Sequence, residues 1–364
     1  MNSLIRFTLG VLLFGLAVRP AQAAFTSIYI FGDGVSATTN NTSSLTNYYG
    51  QRFSNGRVWV EVLAQRQGLG ANSITNVNWS YSSNNWSYVD DYSSNLVKNV
   101  GNFNASSNAT NALFVVWVND ADFVYDVINY TTNITQWTNA MNLSLTNHFA
   151  AITNLYAKGA RTLIMPNAVD IGEVPDYATS GSNRLAFIRQ RIIDFNTAFT
   201  TTLMNRLRTN YPGITIYVPD FFSLLDNMLT NAAAYGLTNA GIDALDSSLT
   251  NQSMTGPGAN YIWWDGQDPT AMAQAVMADV VQQLISPAQI TNFTLLNGSN
   301  QLDVASLPIG LNGYVDGSTN LVLANWVTQA NFNSTNAAQT IFVPASGSLQ
   351  LFYRLRFPYA WSWP

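Results

Sequence analysis

Five acidic side chains stand in short, turn-like settings where carboxylates can do chemistry. They are Asp33 in Gly32-Asp33-Gly34, Asp120 and Asp122 in Asn119-Asp120-Ala121-Asp122, and Asp265 and Asp268 in Asp265-Gly266-Gln267-Asp268. Neighbouring carboxyls that repel one another can hold one proton between them for acid–base work, or share the hard oxygen ligation that Ca²⁺ and Mg²⁺ take. Other routes are closed by composition. With no cysteine in the chain, thiolate nucleophiles, disulfides and cysteine-ligated metals are excluded together. The one histidine, His148, is far in sequence from every acidic cluster and is read as a packing or surface residue. Ser36 is a hydroxyl two residues past Gly34, and it is read as a cap on the turn that follows.

The first two clusters each follow an apolar run. Ile28–Phe31 reads as a short buried strand that turns sharply at Gly-Asp-Gly, and Ala112–Val118 as a continuous buried strand ending at Asn119. In open α/β sheets the ligand crevice lies beyond the carboxyl ends of the strands, which puts Asp33, Gly34 and Ser36 at the expected site. Val58, Trp59, Val62 and Leu63 are spaced for one face of a helix. A helix over Leu143–Lys158 is ended by Gly159 and leads into a strand at Arg161–Met165. Helical periodicity returns over Arg184–Asn210, with Arg184, Arg189, Arg191 and Asp194 read as its solvated face.

Between Gly68 and Asn108 the composition shifts to Asn, Ser, Tyr and Trp, the mark of a long surface excursion over a sheet edge. Its aromatics, Trp79, Tyr81, Trp86, Tyr88 and Tyr92, are read as packing for a loop poor in aliphatic residues rather than as a sugar platform. After Leu284 short alternating strands begin, at Gln301–Leu307, Thr319–Val327 and Ser348–Arg356. Residues 286–364 are therefore expected to form a small β-sandwich-like domain behind a larger one over 24–285. Trp326, Trp361 and Trp363 are assigned to its core and edges.

Of 364 residues 47% are hydrophobic and only 10% are charged, so the polar surface rests on Asn, Thr and Ser. With a net charge of −5 and no basic run, a nucleic-acid backbone or an anionic membrane is not expected as a partner. Arg6, the apolar stretch Phe7–Val18 and Ala21-Gln22-Ala23 have the pattern of a secretory signal peptide over residues 1–23. A secreted or periplasmic location is expected, with no integral membrane segment after cleavage near Ala23.

FGDGVSATTN, at residues 31–40, resembles the first block of the SGNH (GDSL) hydrolases, FGDSLSDTGN, with Phe31, Gly32, Asp33, Ser36, Thr38 and Asn40 in place. RFSNGRVWVEVLA, LYAKGARTLIMPNAVDIGEVPDY, FFSLLDNMLTNAAAYGLTNA and YIWWDGQDPT resemble later blocks of the lipase/esterase-like branch, so that the likeness runs over about residues 25–285. The resemblance implies a three-layer α/β/α sandwich on a mainly parallel, flavodoxin-like sheet, no cofactor, and an ester- or glycan-type ligand. It also implies site positions. The catalytic serine falls on Gly34 and the catalytic histidine on Asp268, while the orienting aspartate is retained as Asp265. Oxyanion donors fall on the backbone of Gly34, on Ser83, and on a side-chain amide in the Asn119–Asp122 block. With the flanking Trp117 and Phe123 in register that amide position is Ala121, and shifted by two residues it is Asn119.

Acyl transfer needs a nucleophile, a base and oxyanion donors, and here only Asp265 keeps its part. Two readings follow. The first is a catalytically degenerate member that works by binding. The second is an active esterase or carbohydrate-acting hydrolase that uses a non-standard acidic site, in which Asp33, Asp120 or Asp122, Asp265 and Asp268 converge. A metal reading of that site places Ca²⁺ or Mg²⁺ on Asp33, Asp122, Asp265 and Asp268.

Overall fold

The computed structural model describes residues 25–39, 41, 47–69, 84–104, 109–130, 132–246, 248–296, 298–321, 323, 325–345, 350–358 and 361–363. The expected signal peptide, together with Ser83, Trp79, Tyr81 and Asn40, lies outside them.

Strands β1 (Ile28–Gly32) and β2 (Leu113–Trp117) are runs of apolar residues and glycine without alternation, and every position in both is buried. Such strands have to be covered on both faces. They pair in parallel, followed by β3 (Thr162–Ile164) and β4 (Thr215–Tyr217) in the order β1-β2-β3-β4. On the outer side of β1, Asn85 forms a parallel bridge to Ile30, fixed by Ile30 N–H to the Asn84 carbonyl and Trp86 N–H to the Ile30 carbonyl, both 2.8 Å. The chain thus adds a fifth, minimal strand at that edge, which gives the flavodoxin-like order.

Helices complete the sandwich. Helix α1 (Trp59–Arg66) packs with α9 (Ala271–Ile285), and α2 (Ser93–Asn102) packs with α4 (Ile134–Ala157). Between them in sequence come α3 (Asn119–Tyr130), α5 (Pro175–Ala178), α6 (Ser182–Ala198), α7 (Met204–Asn210) and α8 (Phe221–Thr230). Helix α2 falls within the expected surface excursion: Leu96 and Val100 give an otherwise polar segment one buried stripe, too sparse to read as a helix beforehand.

The start of α1 is fixed by a buried ion pair. Glu61 accepts Val58 N–H at 3.1 Å and both Nε and Nη2 of Arg52, at 2.9 and 2.5 Å. The Arg184–Asn210 segment differs from its expected solvated face. Arg189 reaches Asp170 at 2.7 Å and Asp226 at 2.5 Å, and Arg184 donates to the Val127 carbonyl, so both arginines tie α6 to its neighbours. His148 is 1% exposed, with Nδ1 2.8 Å from the Ser144 carbonyl, and packs edge-on against Phe199.

The C-terminal segment forms two antiparallel sheets. One has the order β11 (Trp361–Trp363), β10 (Phe352–Phe357), β7 (Asn312–Ser318), β8 (Val327–Asn333), and the other β5 (Gln289–Leu295), β6 (Ser299–Ala305), β9 (Gln339–Pro344). Leu302, Val304, Val315, Ile341, Leu355 and Phe357 make a core of their own. Of the expected strand at Thr319–Val327 only Val327 belongs to a strand, as the first residue of β8; the chain leaving β7 turns, because the Asn320 side chain accepts Leu323 N–H and the Ser318 hydroxyl accepts Asn320 N–H. Arg66 joins the two parts: it pairs with Asp279 of α9 at 2.6 Å, and Nη1 donates to the Ile309 carbonyl at 3.2 Å.

Candidate active-site crevice

At the end of β1 the backbone turns through a 3₁₀ turn, Gly34–Ser36, capped by Asp33, whose carboxyl accepts Val35 N–H at 3.1 Å. Gly34 lines a cavity of about 130 Å³ that opens there. A Cβ on Gly34 would find its nearest neighbours, Phe53 and Val89, at 3.8 Å, which is ordinary contact. Ser36 does not line the cavity and is fully buried. Its hydroxyl accepts the Trp59 indole N–H at 3.0 Å, and its carbonyl accepts from Asn85 at 2.9 Å. The expected turn cap is therefore Asp33, and Ser36 anchors α1 to the turn.

The second cluster is the first turn of α3. Asn119 is 1% exposed and donates its amide to the Pro166 carbonyl at 3.3 Å, away from the cavity. Asp120 and Ala121 line the cavity; Asp120 accepts Val169 N–H at 3.0 Å, and the Ala121 backbone N–H is bonded to the Asp33 carboxyl. The one amide side chain of this block thus points elsewhere, and the residue beside Asp33 carries only a methyl group. Asp122 faces a different recess and accepts Ser93 N–H at 3.0 Å.

The third cluster lies just before α9. Asp265 accepts the Tyr48 hydroxyl at 2.8 Å with Oδ2, and Gln267 N–H and Asp268 N–H at 3.0 and 2.8 Å with Oδ1. Asp268, in the cavity wall, is hydrogen-bonded through its side chain to Asp265. A Cβ on Gly266 would lie 2.0 Å from Asp176 Oδ1, so a larger residue there has to displace that exposed side chain.

Electrostatically the crevice is one-sided. Burial pushes Asp33 up to about 7, and raises Asp120 well above the usual carboxylate range, with the Asp33 charge adding to it. Burial raises Asp268 strongly, and Asp265 and Asp33 push it further. Asp265 is also raised by burial, against the hydrogen bonds from Gln267, Tyr48 and Asp268. No Lys, Arg or His among the described residues lines the cavity. Burial thus favours the protonated form of Asp120 and Asp268, in which a carboxyl can donate as well as accept.

Apart from Asp90 and Gln267 the rest of the wall is mainly apolar, with Val124, Val169, Leu224, Leu225, Met228 and Met277. Trp117 and Phe221 also line it, and with Trp59 behind them they form an edge-to-face cluster with ring centroids 5.1–5.8 Å apart. In this wall Asp120 Oδ2 and the indole N–H groups of Trp117 and Trp263 have no hydrogen-bond partner among the described residues. A buried polar group without a partner is costly, and these three atoms are polar groups of the wall left unmet among the described residues.

The structure thus brings together Asp33, Gly34, Asp120, Ala121 and Asp268 around one cavity, with Asp265 behind Asp268, and leaves Ser36, Asn119 and Asp122 outside it. The suggested metal set of Asp33, Asp122, Asp265 and Asp268 is not assembled: among the described residues no three acidic or histidine side chains are grouped to hold a metal ion. Sequence reasoning missed Tyr48 and Asp176, because nothing in a loop such as Tyr48-Tyr49-Gly50 marks a tyrosine as the partner of an aspartate 217 residues away.

The family model described as GDSL-like lipase/acylhydrolase matches residues 28–281. Two GDSL esterases/lipases of Arabidopsis thaliana are 24% and 23% identical, over 72% and 73% of this chain and 90% and 92% of their own. Among solved structures, the lipase Lip_vut3 from a goat rumen metagenome matches with a TM-score of 0.44 at 10% identity, covering 71% of this chain and 97% of that one.

Proposed function

We propose, starting from a chain that belongs to the GDSL-like lipase/acylhydrolase family, that this protein is secreted, no longer runs serine–histidine acyl transfer, and acts by holding a ligand in its crevice. The observation that carries this reading is the pair of replacements around one cavity. Gly34, which has no side chain, stands where β1 ends, and the carboxyl of Asp268 lies against Asp265 where an imidazole would be oriented. Asp268 offers a carboxyl where the family has an imidazole, and no hydroxyl stands at position 34 for it to activate. The apolar wall with a polar end suits an ester- or glycan-type molecule with an apolar body, bound without cleavage. The signal-like pattern of residues 1–23 supports secretion.

The hydrogen-bonded Asp265–Asp268 pair favours a second reading. Two carboxyls sharing a proton can activate a water directly, and Tyr48 holds Asp265 in place for it.

Hydrolysis of short-chain nitrophenyl esters separates the two. The unaltered protein is expected to be silent, and the triple variant Gly34→Ser, Ala121→Asn, Asp268→His to gain turnover. Turnover by the unaltered protein that Asp265→Ala removes would overturn the binding reading in favour of the acidic pair.

A further inference from the structure

The strand directions of the C-terminal sheets bring two hairpin turns to one end. Strand β6 ends at Ala305 and β7 starts at Asn312, and the link between them is held against the larger domain where Ile309 bonds to Arg66. The β5–β6 turn and the β7–β8 turn therefore both lie at the end away from that junction. Asn300 of one sheet and Tyr353 of the other meet there, amide to hydroxyl at 2.9 Å.

That end gathers exposed aliphatic side chains. Leu295 is 74% exposed and Leu323 67%, and Leu296, Leu321 and Val327, in or beside the same two turns, are exposed as well. No charge stands among them: the charged residues of 286–364 are Asp303, Asp316, Arg354 and Arg356, so that 293–300, 317–327 and 343–353 carry none. The turns also pair backbone groups internally. Asn320 N–H bonds to the Ser318 hydroxyl at 3.2 Å, Leu323 N–H to the Asn320 side chain at 3.1 Å, and Leu296 N–H to the Ser299 carbonyl at 2.9 Å. Backbone paired in this way loses little on leaving water.

Behind the tip comes a polar collar. The Arg354 guanidinium lies over the Trp326 ring, 4.4 Å from its centroid, and Arg354 and Arg356 share the one carboxylate of Asp316, which leaves a positive charge in excess. Apolar tip, amphipathic ring, then cation is the order in which a bilayer offers acyl chains, interface and phosphate. A second copy of the tip would bring the same excess cation and answer nothing. The net charge of −5 on the whole chain disfavours a strongly anionic surface.

We propose that this end of the C-terminal sheets docks on a zwitterionic lipid surface, inserting Leu295, Leu296, Leu321 and Leu323 and setting Arg354 against lipid phosphate. The docking is independent of what the crevice holds.

The test is cosedimentation with sucrose-loaded phosphatidylcholine vesicles of residues 24–364, which lack the apolar run Phe7–Val18 that would take up lipid on its own. Uptake is expected, and it is expected to fall at least about fivefold in Leu295→Asn with Leu296→Asn and, separately, in Leu321→Asn with Leu323→Asn. These side chains are exposed, so the urea midpoint should stay where it is. Because the chain has no cysteine, a single polarity-sensitive dye can be placed through Leu323→Cys, or through Ala338→Cys in the β8–β9 turn at the opposite end. Vesicles should shift the first dye to the blue and leave the second unchanged. No uptake, uptake unchanged in both pairs of variants, or equal shifts at the two dyes would overturn the proposal, as would a dimer that the variants dissolve in a chain the vesicles do not retain.

Discussion

Two glycines two residues apart show how differently one atom is received at the crevice. A Cβ on Gly32 would lie 2.8–2.9 Å from Ser36 and Ser87, inside the turn that shapes the site, while one on Gly34 meets nothing closer than 3.8 Å. Gly32→Ala is expected to cost about 1–3 kcal/mol in urea unfolding, and Gly34→Ser less than about 1 kcal/mol. Equal losses would mean that the turn is softer than its contacts imply. The buried acids make a pH prediction. Burial raises Asp33 to about 7 and Asp91 to about 8, so between about pH 4 and pH 8 the folded chain binds more protons than the unfolded one. Stability therefore falls as pH rises through that window, by up to about 4 kcal/mol for Asp33 alone. The urea midpoint should be lower at pH 8 than at pH 5, with a smaller gap in Asp33→Asn; a midpoint that climbs with pH would refute it. Position 34 was legible in the sequence because its neighbours Gly32, Asp33 and Ser36 fix the register. The partners of Ser36 and Asp265 were not, since Trp59 and Tyr48 reach them only through the packing of α1 and the loop before it.

Among elements, α1 is held less by its own sequence than by the Arg52–Glu61 pair, both side chains fully buried. Arg52→Ala would strand the Glu61 carboxylate out of water and is expected to cost about 3–5 kcal/mol. A loss under about 1 kcal/mol would show that water reaches Glu61. The apolar runs of β1 and β2 and the periodicity of α4 were readable because each buries a continuous set of side chains. Helix α4 begins at Ile134, nine residues before its expected start, since Asn133 caps it by accepting Gln136 N–H and only Trp137 of its early residues is deeply buried. The strand expected from Thr319 begins only at Val327, since the Ser318 and Asn320 side chains bond the backbone locally and turn the chain as it leaves β7.

Across the whole molecule the parallel sheet and the two C-terminal sheets have separate hydrophobic cores, joined at Arg66 and Ile309. A chain ending at residue 286 is expected to keep its helical circular dichroism and to lose no more than about 1–2 kcal/mol, because the Arg66–Asp279 pair lies wholly inside it. Collapse of the shortened chain would show that the two parts fold as one. The sheet itself has one more consequence. Its outermost strands are three-residue β4 and, beyond β1, the single bridge at Asn85, so neither edge offers a length of open backbone to another molecule. Strand-to-strand joining in concentrated solution is accordingly left to the seven-residue edge strands β5 and β8 of the C-terminal sheets, and a chain ending at residue 286 should show no rise in thioflavin fluorescence on storage.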